Sequence, residues 1–192
     1  CYADGEDSAG ATIGGWTTGV SNYIKIFTPT SSSQVGTSQR HEGTWSSDGY
    51  QINDTIIIQT THARISGLKV KLIESSGILM DYAYFNNSRV YVENCIIYSA
   101  VNDTATYEYG VGGTSSGVSG ISYIYISNNI IYGFHNTGST GIRGSSSNMT
   151  WYSFNNTIYD CALSSRSVEV YNTIVQNCVS TFSQSLNMSD YN

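Results

Sequence analysis

The densest set of side chains able to do chemistry is Gln39-Arg40-His41-Glu42-Gly43-Thr44-Trp45, with a base, a potential acid and two hydrogen-bonding partners inside five residues. General acid–base work needs such groups to converge on one proton. Adjacent residues of an extended chain point to opposite faces, so convergence here would require a tight turn. The alternative reading is a packing loop that Arg40, Glu42 and Trp45 hold together. A second candidate is the acidic start of the chain, where Asp4, Glu6 and Asp7 could bind calcium through oxygen, although their spacing matches no defined calcium loop and also suits a solvated turn. Elsewhere the acids are scattered, at Glu74, Asp81, Glu93, Asp103, Glu108, Asp160 and Glu169, and no stacked carboxylate pair can be read from them. His62 and His135 read as surface or turn residues. No catalytic residue and no cofactor are assigned.

Cysteine chemistry is sparse. Cys1, Cys95, Cys161 and Cys178 show no C-x-x-C metal spacing, and Cys95 in its apolar run reads as a small buried hydrophobe. Six N-x-S/T sequons stand at Asn53, Asn86, Asn102, Asn148, Asn155 and Asn187. They point to a glycosylated, extracellular protein, or they follow from a composition rich in Asn, Ser and Thr.

Bulk properties narrow the classes. With 192 residues, 16 Tyr, 19 Gly, one Pro and 11% charged residues, the chain suits an all-β protein better than a helical or disordered one. A net charge of −6 leaves little for a polyanion to hold, which argues against nucleic acid as a partner. No apolar run reaches the length of a membrane span.

The elements that would carry these groups recur. Ser122 to Phe134 alternates Tyr and Ile, bends at Asn128-Asn129, and resumes as Ile130-Ile131-Tyr132, the pattern of strand, corner and strand. Related cassettes stand at Val90–Tyr98, Tyr152–Tyr159 and Val168–Val175, and Ala63–Leu72 carries Ser66-Gly67 at the corner. Aligned corners at Gly67, Asn94, Asn129, Asn156 and Asn172 are 27, 35, 27 and 16 residues apart, the variation lying in Gly/Ser/Thr-rich insertions at 102–120 and 136–148. Short strands at such a period imply a solenoid whose rungs stack about 4.8 Å apart. Stacking predicts apolar columns of Ile, a column of rings from Tyr98, Tyr132 and Tyr159, and a hydrogen-bonded ladder of Asn94, Asn129, Asn156 and Asn172. A single domain over residues 1–192 follows, with irregular rungs and a Gly-rich loop segment in 1–50 and regular rungs in 51–192.

On the cassettes at Ser127–Tyr132, Phe154–Cys161 and Tyr171–Cys178, and on the opening segment from Gly15-Trp16 through Tyr23–Ile26 to Trp45, the chain resembles the right-handed parallel β-helix repeat proteins of the pectate-lyase-like superfold, in particular exported bacterial members of unassigned function. The resemblance implies the fold and leaves activity open, because this fold serves lyases, hydrolases, adhesins and structural parts. Cys161 and Cys178 follow their corners by five and six residues, so neighbouring rungs could bring them together as a disulfide or leave them as thiols. Relatives of this kind extend beyond both ends of the present sequence, and uncapped rungs expose strand edges. The functional expectation is therefore a structural subunit of an extracellular or cell-surface fibre or coat, assembled from copies of itself head to tail and carrying covalent glycans. The alternative is a polysaccharide-active or tail-spike-like protein that stacks sugars on Trp45, Tyr107, Tyr109 and Trp151.

Overall fold

A computed structural model describes residues 6–35, 38–72, 76–100, 107–114, 120–144 and 148–183. Among the described residues, the strands fall into three parallel sheets of six, seven and seven strands. The first sheet holds Ile24–Phe27, His62–Ser66, Arg89–Glu93, Ser122–Ser127, Met149–Phe154 and Glu169–Tyr171 in that order. The second holds Glu6–Asp7, Gln51–Ile52, Lys69–Leu72, Ile96–Ser99, Ile130–Tyr132, Thr157–Tyr159 and Ile174–Gln176. The third holds Ala11–Gly14, Ile56–Gln59, Ile78–Met80, Tyr109–Gly113, Thr140–Arg143, Leu163–Arg166 and Ser180–Ser183. The chain visits the sheets in rotation and advances by one strand per circuit, which makes the molecule a parallel β-helix.

Alternation along each strand turns one set of side chains inward and the other outward. In the first sheet Ala63, Ile65, Val90, Val92, Ile124, Ile126 and Trp151 point inward and are buried, while Arg64, Tyr91, Tyr125 and Tyr152 point outward. In-register pairing turns each inward position into a column, as with Ile52, Val70, Ile97, Ile131 and Ile158 on the second sheet.

The third sheet corrects the sequence reading. Tyr109–Gly113 and Thr140–Arg143, placed by the sequence within polar insertions, are regular strands of this sheet. Their glycines hide the alternation because the wall here is too close for side chains. A Cβ on Gly110 would come 2.6 Å from both the Gly141 carbonyl oxygen and Cγ2 of Ile131, and one on Gly141 would come 2.8 Å from the Ser164 carbonyl oxygen. The isoleucine column of the second sheet fills the space that these glycines leave. Ile78–Met80 is a strand of this sheet and is followed by a 3₁₀ turn at Tyr82–Tyr84.

Candidate functional site

The corner between the first and second sheets is the most elaborated part of the structure. Pairing of Ser66 with Glu93, Glu93 with Ser127, Ser127 with Phe154 and Phe154 with Tyr171 puts Gly67, Asn94, Asn128, Asn155 and Asn172 at one position. All five have positive φ, between 45° and 78°, the left-handed region that Gly and Asn occupy most cheaply. The next position carries Leu68, Cys95, Asn129, Asn156 and Thr173, with side chains directed inward.

The asparagine ladder is therefore shorter than the sequence suggested, and Asn94 and Asn172 are not members of it. Asn129 Oδ1 accepts from the Cys95 N–H at 2.8 Å, and Asn129 Nδ2 donates to the Val92 carbonyl and to Asn156 Oδ1, each at 3.0 Å. Asn156 Oδ1 also accepts from the Asn129 N–H at 2.8 Å, and its Nδ2 donates to the Ile126 carbonyl at 2.8 Å and Ser153 Oγ at 2.9 Å. Both amides are buried, and each uses both ends on backbone that the turn would otherwise leave unpaired. Asn172 instead donates to Asn155 Oδ1 at 2.6 Å on the exposed outer side.

Rings form two outward columns. Tyr98, Tyr132 and Tyr159 stack with centroids 4.6 and 4.7 Å apart on the second sheet. Tyr91, Tyr125 and Tyr152 stack at 4.9 and 5.3 Å on the first. Burial, with Tyr159 and Tyr98 on either side, pushes the Tyr132 phenol up to about 12. Rings stacked on one another along the axis spend their faces on each other and leave edges and hydroxyls for solvent. The four residues expected to stack on sugars fare no better: Trp151 is 1% exposed, Tyr109 lies under the Arg143 guanidinium, Trp45 packs edge-on against Tyr98, and Tyr107 alone is well exposed.

The Gln39–Trp45 segment lies over this same corner beside a cavity of about 390 Å³, lined by Arg40, His41, Glu42, Ser46 and Asp48 among others. His41 Nε2 is 2.7 Å from the Asn94 carbonyl oxygen and Nδ1 accepts from the Gly43 N–H at 3.2 Å, which fixes the proton on Nε2. Burial pulls its pKa down, with Arg40 and Lys69 adding to the effect. Arg40 donates to Ser66 Oγ at 3.2 Å. Lys69, which sequence reasoning missed, is completely buried and donates to the carbonyls of Ser46 and Asp48. Both nitrogens of this imidazole are thus engaged with backbone, and Arg40, His41 and Trp45 clamp the segment on the corner, while Glu42 is exposed.

The remaining candidates disperse. Cys161 and Cys178 lie side by side on adjacent rungs as two thiols, and burial, followed by the nearby Cys178, pushes the Cys161 thiol up to about 12. Cys95 is a buried thiol raised to about 11 by burial. Of the sequons, Asn86, Asn148 and Asn155 are exposed, whereas Asn53 is 8% exposed and its amide donates to Glu6, which leaves no room for a glycan on the folded chain. Asn102 and Asn187 lie outside the described residues, as do Asp4 and Cys1. Glu6 accepts from Asn53, and Asp7 accepts from the Ala9 N–H at 3.1 Å and from the Tyr50 hydroxyl at 3.4 Å. Among the described residues no group of three or more His, Cys, Asp or Glu could hold a metal ion. His135 is exposed, 3.6 Å from Asp160. His62, expected at the surface or in a turn, is 9% exposed and opens a strand.

Glu108 is the unexpected acid. It is 2% exposed, and Oε2 accepts from Ser99 Oγ at 3.1 Å and from Asn136 Nδ2 at 3.5 Å, while Oε1 and Asn136 Oδ1 are both buried and unpartnered. One proton on Oε1, donated to Asn136 Oδ1, would close an acid–amide ring and satisfy both atoms. Burial raises the Glu108 pKa above its ordinary value. A raised carboxyl pKa stabilises the fold below the unfolded value, and that contribution is lost as pH rises through the folded value. Glu108→Gln, which keeps the shape and supplies the donor permanently, should raise stability near neutral pH by roughly 1–3 kcal/mol. Denaturation midpoints at about pH 4 and about pH 8 check this, and a variant weaker than the parent at both would refute the acid–amide ring.

The fold and its columns define a parallel β-helix repeat protein. Comparison with protein-family models, with curated proteins and with solved structures finds no match to this chain.

Proposed function

We propose that the protein is a structural subunit of an extracellular or cell-surface fibre or coat, of the exported, right-handed type within the pectate-lyase-like superfold, built by end-to-end stacking of β-helices and glycosylated on its exposed sequons. The observation that carries this reading is the constancy of register: from His62–Ser66 to Glu169–Tyr171 every rung of the first sheet pairs with the next residue for residue. Such a stack can accept a further rung from a second copy by the same contacts that join its own rungs. The last described rung leaves apolar side chains open, with Ile174 65% exposed and Val179 90%. Exposure of Asn86, Asn148 and Asn155 supports glycan attachment outside the cell.

Light scattering and electron microscopy across a wide concentration range test the proposal. Concentration-dependent filaments are expected, shortened or abolished by Ile174→Arg with Val179→Arg. Monomers at every concentration would overturn it.

A further inference from the structure

Outside the corner, the exposed face of the first sheet gathers basic groups in an acidic protein. In-register pairing sets His62 beside Arg89 and Arg64 beside Tyr91 on neighbouring rungs. The Arg64 guanidinium lies 5.0 Å from the ring centre of Tyr23 and 4.5 Å from that of Tyr91, so two rings fix its orientation. Arg89 is exposed. Among the described residues, no ion pair within 4 Å joins Arg64 or Arg89 to a carboxylate. Glu93 shares a strand with Arg89 but stands four residues along it, roughly 13 Å away.

Between these groups is a recess of about 40 Å³, lined by Val20, Tyr23, His62, Ala63, Arg64, Arg89 and Tyr91. Its floor carries a second, independent sign of a ligand. His62 is nine-tenths buried, its backbone N–H donates to Thr18 Oγ1 at 3.1 Å and its Nδ1 lies 3.1 Å from Thr61 Oγ1, yet Nε2 is buried without a partner. A buried polar atom left unpaired costs stability unless a bound group answers it.

We propose that this recess binds the carboxylate group of a small organic acid, with Arg64 and Arg89 as its charged donors and His62 Nε2–H as the third. A guanidinium presents paired N–H groups in the plane that a carboxylate requires. The recess has room for such a group, and the exposed Val20 and Tyr23 at its edge offer apolar surface to the rest of the ligand. Because the protein carries a net charge of −6, the attraction for an anion must come from the local pair of guanidinium groups and not from the protein's overall field.

The charged and titratable groups facing His62 are Arg64 on its own strand, Arg89 and Tyr91 on the next, and Tyr23 from the preceding rung. Burial, with Arg89 second, holds its pKa below 6.5 in the free protein. A bound carboxylate opposes both effects, so binding should tighten as pH falls through that pKa.

The test follows the His62 ring by nuclear magnetic resonance while the 192-residue chain is titrated at fixed ionic strength with succinate, with galacturonate and with inorganic sulfate. Saturable shifts are expected with one or both carboxylates, the responding one identifying the source, and binding of sulfate should be at least tenfold weaker. Arg64→Gln and Arg89→Gln should each weaken binding at least tenfold, whereas Arg166→Gln, on another sheet, should not. In the unaltered chain, tighter succinate binding at lower pH provides a check that needs no variant. Absence of any His62 response, unchanged binding in both arginine variants, binding indifferent to pH, or equal affinity for sulfate would each overturn the carboxylate assignment.

Discussion

Replacing Asn129 with Ala is expected to destabilise the fold by about 3–5 kcal/mol, seen as a lowered denaturation midpoint with an unchanged slope. The Asn129 carboxamide ties three rungs together through the Cys95 N–H, the Val92 carbonyl and Asn156 Oδ1. Its loss strands the buried Cys95 N–H, removes three hydrogen bonds and leaves a small void. Asn94→Ala is the informative control. Asn94 supplies only a left-handed turn on the surface side of the corner, so its loss should cost about 1–2 kcal/mol. Equal costs at the two positions would mean that the ladder does not hold the rungs. Because Asn129 and Asn156 share a hydrogen bond, their double variant should cost less than the two single losses added.

The same pair of residues shows how far the sequence reaches. A strand, a corner and a strand are plain in Ser122–Phe134 because Tyr and Ile alternate without interruption, and the stacking of cassettes follows from their recurrence. The inward or outward sense of the corner is harder to see, because Asn serves two different purposes there. One Asn turns the backbone and the next fills the ladder, so a rung with a single Asn, such as Val90–Tyr98, can be aligned on either. Only pairing of Glu93 with Ser127 resolves it, and it assigns Asn94 to the turn and Cys95 to the ladder position. Trp151 was misjudged for a related reason: Met149–Phe154 carries large side chains on both faces, and composition does not say which face is inside. The recess at His62 was beyond sequence reasoning altogether, since Arg64 and Arg89 are 25 residues apart and become neighbours only through the length of one rung.

The first corner also explains why one rung departs from asparagine. Gly67→Ala should destabilise the protein by about 2–5 kcal/mol, more than a left-handed alanine alone would cost. At Gly67, φ is +78°, and a Cβ there would collide with the Arg40 guanidinium and come 2.6 Å from Thr28 Oγ1. Thr28 Oγ1 cannot yield freely, because it donates to the Gly67 carbonyl at 2.6 Å. Arg40 would have to move, taking with it the neighbouring His41, which holds the Asn94 carbonyl, and loosening the segment that covers the completely buried Lys69. Uncovering Lys69 returns its ammonium to water, so some of the cost is recovered, and the stacked rungs below should survive. The expected signature is therefore local: faster tryptic cleavage after Arg40 under native conditions, with hydrogen-exchange protection of Ser122–Ser127 retained. If Gly67→Ala costs no more than Asn94→Ala and Arg40 stays protected, the clamp does not rest on this corner. The glycine would then be tolerated there without being required.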